Sequence, residues 1–215
     1  GSLNAANVSV VSDNGALSLS SINAGANGTV VLQAASTLLS GSIDTFDLQA
    51  TAQALNFADV TIGGALNLNA STGNLVLGTV DAGDISLNAA GDIRFTALRS
   101  ATDASLQAGQ QISGGASGGG DITLNAGDTL GLSGALNGST ISLQASNAVS
   151  LVDANANAGD LSITGASIRS AGALSATGAA TLRSTAGDID SGNMTASSIR
   201  LDASNAVKVA GARLE

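Results

Sequence analysis

The sequence predicts an all-β fold, a parallel β-helix or solenoid of about eleven coils with a period of about 19 residues. Three observations predict it. Apolar and polar residues alternate along short stretches such as Asp121-Ile122-Thr123-Leu124-Asn125-Ala126, the pattern of a strand with one buried side. The same unit returns 19 residues later as Ile141-Ser142-Leu143-Gln144-Ala145, and relatives of it recur along all 215 residues. Residue types also keep their phase. The position after the second apolar residue reads Gln33, Gln49, Asn69, Asn88, Gln107, Asn125 and Gln144, and the next reads Ala34, Ala50, Ala70, Ala89, Ala108, Ala126 and Ala145. Hairpin proteins space their strands evenly too, but need not keep identical groups at identical phase. Coils stacked in register about 4.8 Å apart do, and their amides form a ladder of hydrogen bonds along the axis.

The second apolar residue of each unit serves as its anchor. Anchors fall at Val10, Leu32, Leu48, Leu68, Leu87, Leu106, Leu124, Leu143, Ile163, Leu182 and Leu201. The first two spacings, 22 and 16, place an irregularity between Ala35 and Thr45, expected to be a bulge or loop. A second apolar pair follows each anchor, as at Leu75/Leu77, Ile93/Phe95, Leu130/Leu132, Val149/Leu151 and Val207/Val209. A weaker third patch includes Val60/Ile62, Val80, Leu98, Leu136, Leu174 and Met194. Three short strands per coil leave only small corners. Gly-Asp precedes an aliphatic residue at Gly83-Asp84, Gly91-Asp92, Gly120-Asp121, Gly159-Asp160 and Gly187-Asp188, with Gly73-Asn74 as a variant. The expectation is that Gly supplies a positive φ at each bend and that Asp or Asn bonds the local backbone. The run Gly114-Gly115-Ala116-Ser117-Gly118-Gly119-Gly120 occupies one corner, because the period survives it.

Composition agrees with a narrow core. Hydrophobic residues make up 44%, yet Phe46, Phe57 and Phe95 are the only aromatics, so Ala, Leu, Ile and Val must do the filling. All three Phe are expected to fill the core. Fifteen Asp and one Glu against six Arg and one Lys give a net charge of −9, with no basic patch to meet nucleic acid. No apolar run reaches the roughly 20 residues of a membrane helix. No composition shift marks a boundary, and residues 1–215 read as a single repeat array. The ends, Gly1-Ser2 and Leu214-Glu215, look like added residues, so an internal fragment of a much longer protein is expected. Nothing near them looks like a cap, and the coil around Val10 is expected to fray first, beside the irregular spacing.

Chemistry has little to work with. Neither His nor Cys occurs, which removes the commonest bases, nucleophiles and zinc ligands. Of the carboxylate pairs, Asp188 and Asp190 share a strand side, and with Arg183 or Arg169 they form the best candidate for a calcium-dependent polysaccharide lyase. Asp44/Asp47, Asp81/Asp84 and Asp121/Asp128 are looser pairs. The bland alternative is that these are corner residues and solubilising charges, and no catalytic residue, cofactor or metal is assigned. The amide column, Gln33, Gln49, Asn69, Asn88, Gln107, Asn125 and Gln144, is read as structural. It has a second reading as a flat polar face that binds glycans, weakened by the lack of Tyr and Trp.

The unit Gly83-Asp84-Ile85-Ser86-Leu87-Asn88-Ala89-Ala90-Gly91-Asp92-Ile93, and its counterpart from Leu161 to Ile189, resembles the filamentous haemagglutinin repeats of two-partner-secretion exoproteins. The resemblance covers essentially the whole chain. It implies a right-handed parallel β-helix, the structural shaft of a secreted bacterial surface adhesin or contact-dependent inhibition protein. It implies export through a dedicated outer-membrane secretion pore, while host or biofilm glycans are the partners that the second reading of the amide column would take.

Overall fold

The computed structural model describes residues 1–115 and 117–215, so Ala116 of the Gly-rich run lies outside the described residues. Among the described residues the chain forms strands and no helix. The strands pair in parallel and stack as a β-solenoid of about eleven turns with a period of about 19 residues. The chain divides into two compact units, Gly1–Gly109 and Gln110–Glu215.

One coil of the second unit shows the construction. Ile122–Ala126, Leu130–Leu132 and Leu136–Gly138 are its three strands, one on each face. On the first face Ile122, Leu124 and Asn125 lie against Ile141, Leu143 and Gln144 of the next coil. Those lie in turn against Leu161, Ile163 and Thr164. Alternation decides what is inside. Leu124 and Leu143 are each 1% exposed, whereas Thr123 and Ser142 between the inward residues are exposed. The second face stacks Leu130, Val149 and Ile168, and the third stacks Leu136, Ala154 and Leu174. The Gly-rich run is not a single corner, since its described residues enter the strands Ile112–Gly114 and Ser117–Gly118.

In the first unit the register corrects the anchor at Leu48. Leu32 lies against Ala50, and Ala50 against Leu68, while Leu48 lies between Val30 and Leu66. The anchor of that coil is therefore Ala50. A shift of two residues keeps every side chain on its own side of the strand, so alternation cannot detect it, and the bulkier Leu48 captured the assignment. The irregularity moves with it. Pairing is interrupted between Asn23 and Thr29, where the chain opposes the shorter path from Asp44 to Asp47. Gly25 in this bulge has φ 73°, and Asn23 Oδ1 accepts its N–H at 3.1 Å. Across Asn7–Ser12 and Thr29–Ala34 the pairing is unbroken, so no slip borders Val10 on that face.

Two further expectations change. Phe57 and Phe95 are 1% and 6% exposed, but Phe46 is 43% exposed. At this corner Thr45 takes the inward place at 2% exposure, and its hydroxyl donates to the Gly28 carbonyl at 2.8 Å. Phe46 turns outward over the next coil, where a Cβ at Gly63 would stand 3.0 Å from its Cδ2. The corner glycines also have a different cause. Among the described residues Gly25 has a positive φ and the Gly-Asp glycines do not. Their requirement is room. A Cβ on Gly91 would collide with Asn74 Oδ1, and one on Gly83 would stand 2.6 Å from the Gly64 carbonyl oxygen.

Corner Asp and Asn join successive coils. Asp47 Oδ1 accepts the Ala65 N–H at 2.8 Å, Asp59 that of Thr79 at 3.1 Å, and Asn74 that of Asp92 at 2.9 Å. Asp153 does the same for Ala173 at 2.6 Å. Where the chain rounds a corner the backbone ladder misses an amide, and the side chain of the preceding coil supplies the acceptor. Inward hydroxyls serve the corner carbonyls. Ser100 donates to Gly83 at 2.7 Å, and Ser170 to Val152 at 2.9 Å.

Candidate functional site

Most of the carboxylates singled out from the sequence have separate partners of their own. Asp188 Oδ1 accepts from Asn205 Nδ2 at 2.7 Å and from the Ala206 N–H at 3.0 Å, which makes it a corner acceptor. Asp190 faces outward with Arg169 in register on one side and Lys208, at 3.9 Å, on the other. Arg183 points to Asp202 at 4.0 Å rather than to the Asp pair. Asp47 and Asp84 are corner acceptors, Asp84 bonding the Thr102 hydroxyl. Asp121 accepts from the Thr140 hydroxyl at 2.7 Å, and Asp128 from the Asn147 amide. Among the described residues no group of three or more His, Cys, Asp or Glu is placed to hold a metal ion.

The outward side of the first face in the Gly1–Gly109 unit carries a continuous band of amide and hydroxyl side chains. Five strand segments build it, within Leu17–Ala34, Thr37–Ala52, Val60–Ala70, Leu75–Ala89 and Ala104–Ala108. Two columns run across them. One is Val31, Gln49, Asn67, Ser86 and Ser105; the other is Gln33, Thr51, Asn69, Asn88 and Gln107. Gln49 thus belongs to the neighbouring column, a consequence of the two-residue shift at Ala50. Asn88 Nδ2 donates to Asn69 Oδ1 at 3.0 Å. In the second unit Asn125 and Gln144 are in register, and the column continues as Thr164, Arg183 and Asp202. There its chemistry changes from amide to ion pair, on an exposed surface where such a pair contributes little stability.

The first-unit face is not flat. One shallow depression is lined by Gln49, Thr51, Asn67, Asn69, Ser86 and Asn88. A second adjoins it, lined among others by Val31, Asp47, Ala65 and Asn67. Asn67, Thr51 and Ser86 were absent from the sequence-derived set. Alternation puts each on the outward side, two residues from a column member, but only the register joins them into one surface. Phe46, beside Asp47, was assigned to the core because nothing in the local pattern marks the corner bulge.

No protein-family model matches the sequence, and no curated protein or solved structure matches the chain. Among the described residues no helix is long and apolar enough to cross a membrane.

Proposed function

We propose that the chain is a spacer segment of a secreted bacterial surface protein of the filamentous haemagglutinin type, exported through an outer-membrane pore and holding adhesive or effector parts away from the cell. The observation that carries this is the corner chemistry. In both units a coil repeatedly meets a corner amide of the next with its own Asp or Asn, so these coils add without any specialised joint. The repeat pattern of the sequence supports the same family. The function is mechanical rather than catalytic, a view supported by the engagement of Asp188 and Asp190 in corner and cross-coil contacts.

The test is reach. The chain is inserted between a cell-surface anchor and a reporter domain on cells coated with a bulky polymer layer. A spacer should raise the reporter's accessibility well above that obtained with a Gly/Ser linker of equal residue number. Equal accessibility with the two inserts would sink the proposal.

A further inference from the structure

We infer that the outward first face of the Gly1–Gly109 unit binds a neutral oligosaccharide chain, seated on Gln49, Asn67, Asn69 and Asn88 with the Phe46 ring as its apolar platform. This site is independent of the spacer function. A spacer needs no such surface, and its loss would leave the corner bonds intact.

The chemistry of the face selects the ligand class. A side-chain amide carries donors and acceptors together, as a sugar hydroxyl does, so each can meet the other in both directions. The Asn88–Asn69 bond uses one donor and one acceptor, and the two amides keep the rest of their hydrogen-bonding capacity for a ligand. No ionisable group lines the depression formed by Gln49, Thr51, Asn67, Asn69, Ser86 and Asn88. The unit carries eight Asp against two Arg, which repels uronic acids and sulfated sugars. Asp47, at the neighbouring depression, spends Oδ1 on the Ala65 N–H.

Phe46 supplies what the amides lack. Its ring is 43% exposed and rests on the Gly63-Gly64 backbone, where a side chain at Gly63 would be in its way. Its chain neighbour Asp47 lines the second depression, as does Ala65, which follows Gly64. A pyranose ring presents C–H groups on its face and hydroxyls around its rim. An aromatic face beside a band of amides complements both. Coil spacing, about 4.8 Å, is close to the advance per residue of an extended β-linked pyranose chain, so successive sugars meet successive coils.

The experiment titrates the 215-residue chain with cellohexaose and chitohexaose, and separately with hexagalacturonate, and follows backbone amides by NMR. The expected result is binding of at least one neutral hexasaccharide, with shifts confined to the segments bearing Phe46–Thr51, Asn67–Asn69 and Ser86–Asn88. Phe46→Ala and, separately, Asn67→Ala should each weaken it by about tenfold or more with an unchanged circular dichroism spectrum. Asn125→Ala, on the other unit, should leave it unchanged. The proposal is overturned if neither neutral hexasaccharide binds, if hexagalacturonate binds more tightly, or if both face variants fold and bind as the parent does.

Discussion

Asp160 bridges two coils through two oxygens, and Ala179 is the forward partner: the carboxylate Oδ1 accepts the Ala179 N–H at 2.7 Å. Its main-chain oxygen accepts the Ile141 N–H of the preceding coil at 3.0 Å. Asp160→Ala strands the Ala179 amide and should cost about 1–3 kcal/mol. Asp160→Asn keeps an acceptor, as Asn74 does at its own corner, and should cost well under half as much. Urea midpoints of the two variants check this. Equal losses would show that the negative charge, not the acceptor, is what matters.

Core columns give the largest expected effect. Leu124 is enclosed by Leu143 of the next coil and neighbours on the other faces, and a thin core has no distant side chain to fill a gap. Leu124→Ala should lose about 2–5 kcal/mol. Thr123→Ser, facing outward one residue earlier, should stay within about 0.5 kcal/mol of the parent. Identical denaturation midpoints for the pair would reverse the inside and outside of the strand.

Gly91 and Asn74 should be coupled. Gly91→Ala drives a methyl into Asn74 Oδ1 and should cost about 1–3 kcal/mol. Asn74→Ala removes the obstacle and, with it, the acceptor for Asp92 N–H. The double variant should therefore be less destabilised than the two single losses added together, by about 0.5 kcal/mol or more. Strict additivity in a double-mutant cycle would place the strain at Gly91 elsewhere.

Register in the first unit can be read by cross-linking. Gln33 lies opposite Thr51, not Gln49. Cysteines introduced at Gln33 and Thr51 fall on adjacent strands at a Cα separation, about 4.8 Å, that a disulfide spans. Cysteines at Gln33 and Gln49 stand diagonally, beyond about 7 Å, and should remain reduced under the same mild oxidation. Preferential closure of the second pair would restore Leu48 as the anchor.

These tests follow the border between what was legible in the sequence and what was not. Strand alternation and a period near 19 residues made the parallel coils readable, because Leu124 and Leu143 can share a column only if whole coils repeat in phase. A slip of two residues at Leu48 and Ala50 was invisible, since it leaves every residue on its own side. With Leu48 taken as an anchor, the three-residue excess between Asn23 and Thr29 fell between Ala35 and Thr45 instead. Phe46 was misplaced because a corner bulge reverses inside and outside for one residue without altering the apolar pattern. The polar face was half legible: Asn69 and Asn88 stood out as a repeating amide, whereas Asn67 and Ser86 share no residue type and become one surface only through register.

The two oxygens of Asp160 also give the stack a direction in time. The main-chain oxygen reaches back to a coil already made, while the carboxylate reaches forward to an amide that comes later in the chain. Asp47, Asp59 and Asp153 present the same forward acceptor. A chain emerging amino end first thus leaves waiting acceptors on its newest finished coil, and each arriving strand is captured as it appears. Emerging in the opposite order, the incoming strand would carry the acceptor itself and find a bare amide. For a chain growing from its amino end, each of these corners thus offers the next strand an acceptor already in place.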